Sequence, residues 1–417
     1  MKQKKPVKLL VIGAGGRGND LSAYALKHPD ELKIIGVAEP DKIRRERFAA
    51  KFQIDEKFVF NSWQDSLKFS EADKLADAAL VATQDRMHTG PAIGFLKKGY
   101  HILLEKPMAT TPEECIYMTR TAQRYKRIFG ICHVLRYTAF YRKIKELVDS
   151  GIIGDIATVE HIEAVRYWHF AHSFIRGNWR NSNLSSPLIL QKCCHDMDIL
   201  RWIVGKSCKK VSSFGSLMHF KKQNAPAGST KRCTGGCKIE RKCPYSAIRI
   251  YLEDQPAKWL KDITPNPTPK GMRKALEEGP YGRCVYHCDN NVADHQVVAL
   301  EFDGGITASH TVAAFTADGT GRRTRIMGTQ GELTGDNGKI EVNIYDKNKK
   351  TMIDPMLNVD PESGHGGGDM GVMHDFVQAV SKNDSSLLSS TIEASLESHL
   401  MAFAAEKSRV TGKTITI

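Results

Sequence analysis

The sequence lacks long apolar runs. No segment of its 417 residues approaches the ~20 consecutive apolar residues of a transmembrane helix, so we expect no membrane partner. The apolar run from Leu9 to Ile12 follows several lysines, but it is too short for a secretory signal and no small-residue cleavage site comes after it. These absences predict a cytoplasmic protein.

The sequence also lacks a concentrated block of one charge. Its formal net charge is +13, yet lysines and arginines interleave with acids, as in Lys42 to Arg47 and Arg273 to Glu278. A nucleic-acid-binding face normally concentrates its basic residues, and we therefore expect no nucleic-acid partner. The positive excess suits solubility and the attraction of an anionic cofactor.

The first third of the chain alternates short apolar runs with helical patterns. Parallel strands need crossover helices between them, so this alternation predicts a doubly wound parallel sheet. We assign residues 1–135 to an N-terminal Rossmann domain of the α/β class. Its strands are expected at Val7 to Ile12, Leu32 to Ala38, Ala78 to Ala82, His101 to Leu104 and Phe129 to His133.

A different pattern follows in residues 136–417. Several segments alternate apolar and polar residues, which predicts a C-terminal α+β domain with an open, mostly antiparallel sheet. An insertion at about 221–291 interrupts that sheet. Because an open sheet leaves one face uncovered, we expect a homodimer or homotetramer. The expected strands are Ala157 to Trp168, Gln296 to Phe302, Ile306 to Ala314 and Arg323 to Met327.

A glycine-rich turn follows the first strand and precedes a helix, with the sequence Gly13-Ala14-Gly15-Gly16-Arg17-Gly18. The first glycine permits a tight turn, the second lets the backbone approach a pyrophosphate, and the third allows close packing of helix and strand. Glu39 ends the next strand, where a carboxylate binds both ribose hydroxyls and repels a 2′-phosphate. We therefore predict NAD, with NADP as the weaker alternative because Arg44 and Arg45 lie nearby. A glycine turn in a nucleotide-free fold is the other reading.

The strand from His101 to Leu104 ends in Glu105-Lys106-Pro107. Open α/β sheets place ligands at this carboxyl edge. A lysine there can hydrogen-bond a reacting hydroxyl and stabilise a developing alkoxide. Taken alone, the tripeptide fits a surface loop equally well.

These motifs together resemble the glucose-fructose oxidoreductase, inositol dehydrogenase and rhizopine catabolism protein family, abbreviated Gfo/Idh/MocA. The resemblance covers nearly the whole chain apart from the insertion. It implies an NAD(P)-dependent oxidoreductase that transfers hydride to or from a hydroxyl carbon of a sugar, inositol or glycoside. It also implies that Lys106 contacts both cofactor and substrate. The resemblance also includes Thr83, His88 and the segment His195-Asp196-Met197-Asp198. Thr83, His88 and Glu105 are expected to lie on the cofactor side.

The second domain of the family carries an acid, three residues and then a histidine. The matching segment here runs from Gln191 to His195, so the acid is replaced by an amide that cannot take a proton. His195 is therefore the expected general base. A core or helix-capping role is its alternative, and Asp196 and Asp198 are supporting candidates.

Substrate contacts are expected from Trp179, Arg180, Gln191, Asp198 and His365. The pair Trp179-Arg180 resembles the substrate-side Trp-Arg of the family, although core and ion-pair roles are equally open. His365 lies in a glycine-rich loop before a helix, where Asp369 can act as the helix cap.

Two further functions stay open beside the dehydrogenase. One is an NAD-dependent glycoside hydrolase that acts by transient oxidation and elimination. The other is a non-catalytic dinucleotide-binding sensor, favoured only by the loss of the acid at Gln191.

Ten cysteines are many for a cytoplasmic enzyme, and five of them lie in the insertion. Such clustering favours metal thiolates over disulfides in a reducing compartment. We predict a structural zinc site at Cys233, Cys237, Cys243 and Cys284. Because no standard C-x2-C pair is present, an iron–sulfur cluster, free thiols and disulfides remain alternatives.

Overall fold

The protein is described here from a computed structural model. It describes residues 5–69, 74–254, 260, 263–264, 266–317, 321–336, 338–346, 349–357, 359–360 and 364–417. Part of the predicted insertion therefore lies outside the described residues. No helix in the described ranges is both long and apolar enough to cross a membrane.

The N-terminal sheet has six strands, all parallel, in the order β3-β2-β1-β4-β5-β6. This order is that of a doubly wound nucleotide-binding sheet, and it confirms the predicted fold class. The central strands are buried almost completely because helices cover both faces. The strands are β1 (Val7–Ile12), β2 (Leu32–Ala38), β3 (Val59–Phe60), β4 (Ala78–Val81), β5 (His101–Leu104) and β6 (Phe129–Ile131).

The helices of this half follow the strands in alternation. Several begin with side-chain caps: Asp41 accepts from the Arg44 amide and Thr111 from the Glu114 amide, which satisfies free backbone donors at each helix start. The helices are α1 (Gly16–Ser22), α2 (Tyr24–Lys27), α3 (Lys42–Phe52), α4 (Trp63–Phe69), α5 (Thr89–Lys97), α6 (Pro112–Tyr125) and α7 (Ala139–Asp149).

The second sheet has nine strands in the order β14-β13-β12-β11-β7-β10-β9-β8-β15. Its pairs are antiparallel except for β7 with β10, which run parallel. The sheet is therefore mostly antiparallel, as predicted. The strands are β7 (Ile156–Arg166), β8 (Cys208–Ser216), β9 (His295–Phe302), β10 (Thr307–Thr316), β11 (Gly321–Gly328), β12 (Gly331–Asp336), β13 (Lys339–Ile344), β14 (Lys349–Ile353) and β15 (Ile415–Thr416).

The helices of the C-terminal half cover one face of this sheet and also reach the first domain. They are α8 (Tyr167–Phe170), followed directly by a π-helix (Ala171–Arg176), then α9 (Leu188–Gln191), α10 (Cys194–Val204), α11 (Pro269–Glu278), α12 (Gly368–Lys382) and α13 (Ile392–Thr411). Val372, Met373 and Phe376 of α12 join the hydrophobic core around β1 and β2. The chain thus returns to complete the first domain, a long-range contact that the sequence pattern does not reveal.

The other face of the second sheet carries exposed apolar side chains in one cross-strand row. Phe214 of β8 is opposite Val297 of β9, and Ile162 of β7 lies two strands further along the same row. Their exposed fractions are 73%, 45% and 39%. Thr311 of β10 lies between Val297 and Ile162 in this row. Exposed apolar residues clustered on one sheet face mark interaction sites.

Candidate active site

The glycine turn connects β1 to α1. Gly13 has φ +96°, which disfavours any side chain, and a Cβ there would lie 2.5 Å from the carbonyl oxygen of Ala82. A Cβ on Gly18 would lie 2.0 Å from the Gly13 oxygen. In contrast, no atom lies within 4 Å of a Cβ built on Gly15 or Gly16. The turn therefore leaves open space beside its amides, at the start of a helix, where a pyrophosphate fits.

Glu39 lies beside this turn at the end of β2. One carboxylate oxygen accepts a hydrogen bond from the Ala14 amide at 2.8 Å and the other from the Asp41 amide at 3.0 Å. Arg45 donates to the backbone oxygen of Glu39 and is thereby held near the same position. Glu39 thus lies next to the turn, where the predicted contact of its carboxylate with the ribose hydroxyls requires it to be.

Arg17 holds three parts of the site together. Its Nε donates to Glu105 at 2.7 Å, and its Nη atoms donate to both carboxylate oxygens of Asp369 at 3.2 and 2.8 Å. Although burial alone would lower the pKa of Arg17, the charges of Glu105 and Asp369 raise it well above its usual value. The sequence predicted Arg17 as a cofactor contact; the structure shows in addition that it connects the glycine turn, the end of β5 and the start of α12.

Lys106 follows β5 and reaches across to the second domain. Its Nζ donates to the backbone oxygen of Gln191, at the end of α9, over 3.1 Å. The Lys106–Pro107 peptide is cis. The structure therefore brings together the lysine and the Gln191–His195 segment, which are 85 residues apart in sequence.

His195 is the second residue of α10, four residues after Gln191, and is 8% exposed. Its Nδ1 is buried and has no hydrogen-bond partner among the described residues. Burial holds the pKa of His195 well below its usual value, and the nearby charge of Lys106 lowers it further. His133, whose ring lies 5.7 Å away, Arg322 and His365 have smaller effects in the same direction. The imidazole is therefore neutral at pH 7, the form that accepts a proton.

Gln191 is held by a polar network between the domains. Its amide nitrogen donates to the Trp179 carbonyl at 2.9 Å, and its side-chain oxygen lies 3.3 Å from the Ser185 hydroxyl. Ser185 also lies 2.7 Å from Asp85, which accepts further bonds from Ser186 and from the Trp179 indole. Sequence reasoning missed Asp85; the available signal was an acid just beyond the carboxyl end of β4.

Thr83 and His88 shape the loop after β4. The two ring nitrogens of His88 lie 2.7 Å from the Pro107 oxygen and 3.1 Å from the Thr83 oxygen. The ring is only 1% exposed. His88 thus joins the loop after β4 to the loop after β5, and its expected contact with the cofactor stays a prediction.

The residues expected to contact the substrate do not all lie free at the site. Trp179 is 40% exposed beside the site, while Arg180 forms a two-pronged ion pair with Asp289 of the insertion. His365 is 44% exposed and contacts Asp369 at 2.8 Å. Lys192, which follows Gln191 in sequence, pairs with Glu163.

The two supporting acids have other partners. Both oxygens of Asp198 accept from Arg136 at 2.6 Å, and the carboxylate is fully buried. Asp196 accepts from His161 and Arg322. The two bonds to Arg136 and the complete burial of Asp198 favour a role in holding α10 in place, and its expected contact with substrate stays a prediction.

The predicted zinc site is not assembled in this structure. In the described part of the chain, the one group of three potential ligand atoms within 4.8 Å of one another is His161, Asp196 and His310. Asp196 in that group is already bound by Arg322. No three cysteine sulfur atoms of the described residues lie that close together, so the distances do not support the predicted zinc at Cys233, Cys237, Cys243 and Cys284.

The glycine turn generates a pair of contrasting predictions. Gly15→Ala fills the open space and should raise the Kd for NAD at least about tenfold, roughly 1.4 kcal/mol, without changing Tm. Gly18→Ala collides with the Gly13 carbonyl and should lower stability by about 1–3 kcal/mol. Isothermal titration calorimetry and thermal unfolding measure the two effects. An unchanged Kd for Gly15→Ala contradicts the assignment of the turn.

Comparison with known proteins agrees with this geometry. Residues 7–133 match the family model described as oxidoreductase family, NAD-binding Rossmann fold, and residues 145–417 match that of the oxidoreductase family, C-terminal alpha/beta domain. The putative oxidoreductase YteT of Bacillus subtilis is 25% identical over 364 residues, or 82% of this chain and 81% of that protein. The 2,7-anhydro-N-acetylneuraminate hydratase of Mediterraneibacter gnavus is 26% identical over 51% of this chain and 53% of its own length.

Solved structures extend the comparison to the whole fold. Levoglucosan dehydrogenase in complex with NADH and L-sorbose superposes with a TM-score of 0.73 at 16% identity, covering 99% of both chains. Two family models that together span nearly the entire sequence match it in order. The chain therefore belongs to the Gfo/Idh/MocA oxidoreductase family.

Proposed function

We propose that this protein is an NAD-dependent oxidoreductase that interconverts a hydroxyl and a carbonyl on one carbon of a sugar, inositol or other polyol. The contact of Lys106 Nζ with the Gln191 carbonyl supports the proposal, because it joins the lysine to the segment that continues to His195. The glycine turn and Glu39 lie at the same edge of the N-terminal sheet. The residues present therefore suit NAD and a hydroxylated substrate together.

NAD, when bound, supplies a hydride acceptor or donor at its nicotinamide ring. His195 takes the proton of the substrate hydroxyl at an imidazole nitrogen. It can do so because its imidazole is neutral. Lys106 Nζ has three N–H donors and uses one on the Gln191 carbonyl. The other two remain for the reacting oxygen and for the cofactor, and they stabilise negative charge on that oxygen.

In this proposal Gln191 transfers no proton. Its role is to hold the Trp179 segment in position. Its side chain is occupied by Ser185 and the Trp179 carbonyl. It therefore supports the exposed Trp179, which is placed to contact the carbon skeleton of a sugar. Arg180 acts through its pair with Asp289, holding the same segment against the insertion.

A reaction without net oxidation is the second candidate, because the relative from Mediterraneibacter gnavus is named a hydratase. The glycoside hydrolase with transient oxidation belongs to this class. Incubation with a panel of sugars and aryl glycosides separates the classes: accumulating NADH supports the dehydrogenase, and product without accumulating NADH supports the second. A protein that binds NAD and converts no member of the panel fits the sensor hypothesis.

Substitution of the two central residues tests the assignment directly. Lys106→Met and His195→Ala should each lower kcat by about 100-fold or more, because oxygen stabilisation or proton removal is lost. The Kd for NAD should change less than about threefold in both. Lys97→Met removes an exposed lysine from α5 and serves as the control with unchanged kcat. Activity that survived both changes would exclude this site.

The pH profile provides an independent test. A base acts only when deprotonated, so activity falls as the pH drops through its pKa. Because burial and the charge of Lys106 hold the pKa of His195 well below the usual ~6.5, kcat/KM should show no loss attributable to this residue near pH 6.5. Stopped-flow measurement from pH 5 to 9 in the presence of saturating NAD checks this. An acid limb at pH 6.5 that disappears in His195→Ala contradicts the geometry.

We further propose that the row Phe214, Val297 and Ile162 is covered by a second copy of the chain, giving the predicted homodimer or homotetramer. The apolar character of the row and its position on an open sheet support this. The cytoplasmic location predicted from the sequence stays a prediction.

Phe214→Asp should therefore shift the molar mass from an oligomer to the monomer, because a carboxylate cannot be buried unpaired in an apolar interface. Light scattering after size-exclusion chromatography measures the mass. Ile43→Asp, at a half-exposed apolar position of α3, is the control that retains the oligomer. A wild-type protein with monomer mass refutes the proposed interface.

A further inference from the structure

His133 is a buried histidine at the carboxyl edge of the N-terminal sheet, two residues after β6. Its side chain is completely inaccessible to solvent, and neither ring nitrogen has a hydrogen-bond partner in the described part of the chain. A polar atom that is buried without a partner is costly, because it has lost its contact with water. His133 therefore calls for hydrogen-bond partners among its neighbours.

The His195 ring, which lies beside His133, also has an unpartnered nitrogen. Its Nδ1 is buried and makes no hydrogen bond within the described ranges, so Nε2 is the nitrogen that can reach a substrate. The rings of His133 and His195 meet edge to face, with centroids 5.7 Å apart and planes at 71°. Both nitrogens of one ring and Nδ1 of the other are thus unsatisfied at one place.

His399 is a close neighbour of His133 but offers it no partner. The centroids of these two rings are 5.4 Å apart. His399 Nε2 accepts a hydrogen bond from the Met108 amide at 2.8 Å, and its Nδ1 lies 2.7 Å from the Ser395 carbonyl oxygen. Both nitrogens of His399 are therefore in use.

Asp198 is an acceptor within reach of His133. Its Oδ1 lies 3.7 Å from His133 Nε2, and a shift of about 0.5 Å brings the two atoms to hydrogen-bond length. Each oxygen of Asp198 accepts one bond from Arg136 at 2.6 Å and has a second lone pair. Burial raises the pKa of Asp198, while the charge and hydrogen bonds of Arg136 lower it. Paired with this guanidinium, the carboxylate is ionised and can only accept.

The charges around His133 decide the role of its second nitrogen. Burial holds the pKa of His133 well below its usual value, and the charges of Arg136 and Lys106 lower it further. The ring is therefore neutral and carries a single proton. If Nε2 donates that proton to Asp198, Nδ1 is left as an acceptor. A bond to His195 Nδ1 then requires the proton of His195 to be on that atom.

We infer that His133 is a positioning residue for His195: its Nδ1 accepts a hydrogen bond from His195 Nδ1–H, and its Nε2–H donates to Asp198. The Nε2 lone pair of His195 is then directed to the substrate proton, because a partner on one ring nitrogen fixes the role of the other. The inference rests on the proposed function and deepens it. The Gln191 side chain, which is bound to the Trp179 carbonyl, is not needed for this orientation.

Two variants of nearly equal shape separate hydrogen bonding from packing. His133→Leu removes the acceptor, so that His195 Nδ1–H is buried without a partner. It should lower kcat at least about tenfold with the KM of the substrate changed less than about threefold. His133→Asn keeps an oxygen that accepts from His195 and should retain kcat within about threefold of the wild type. Steady-state kinetics with a substrate from the sugar panel measures both.

His310→Leu is the matched control. Both ring nitrogens of His310 are also buried and unpartnered among the residues that the structure describes. Its ring, however, stacks on His161 at 5.5 Å between centroids. This variant should keep kcat within about threefold of the wild type, which separates the loss of one particular hydrogen bond from the loss of a buried histidine.

The position of the proton on His195 is the decisive readout. Solid-state NMR of the full-length protein with isotope-labelled histidine distinguishes protonated from unprotonated ring nitrogens, and the signals that are absent in His195→Ala identify the residue. The wild type should carry the proton on Nδ1, and His133→Leu should carry it on Nε2. The measurement needs no substrate, so a protein that converts no sugar but has this tautomer contradicts the proposed function and not the contact with His133.

Three results overturn the inference. They are a wild-type His195 protonated on Nε2, an unchanged tautomer of His195 in His133→Leu, and an equal loss of kcat in His133→Asn and His133→Leu. If His133→Leu does not fold, the wild-type spectrum still decides, because a proton on Nε2 is incompatible with the inferred hydrogen bond.

Discussion

The ion pairs of Arg17 are the constraint on which the geometry of the site depends. Glu105 and Asp369 are almost completely buried, with side-chain exposures of 5% and 3%, and both are bound by the same guanidinium. Each carboxylate would be costly to bury alone. The glycine turn, the strand that leads to Lys106 and the start of α12 are therefore fixed relative to one another. The position of the cofactor-binding turn and the position of Lys106 therefore depend on the same ion pairs.

A second consequence concerns the charge around His195. The charges of Lys106 and Arg322 both lower the pKa of the imidazole, and Arg322 is held by Asp196 and Glu163. Together with burial, these cations keep the ring neutral. A general base with a low pKa is a weaker base, but it is available over the whole neutral range. The missing acid at Gln191 is consistent with this arrangement, because a carboxylate there would raise the pKa of the histidine.

Local patterns made much of this fold predictable. The limits of β1 and β5 agree with the sequence prediction because buried parallel strands are short apolar runs bounded by glycine or charge. The glycine turn was recognisable for the same reason. The partners of Arg17 and Asp198 were not predictable, because Asp369 is 352 residues from Arg17 and Arg136 is 62 residues from Asp198. Nothing in the local sequence specifies such contacts, and the same holds for the return of α12 to the first core.

The most direct test of the account is a crystal structure of the ternary complex with NAD and an inert polyol. In that complex Lys106 Nζ and the imidazole of His195 should both lie within hydrogen-bond reach, about 2.6–3.2 Å, of one polyol hydroxyl. The carbon bearing that hydroxyl should face nicotinamide C4, with the pyrophosphate beside Gly15. A nicotinamide ring turned away from Lys106, or a polyol bound out of reach of His195, would contradict it.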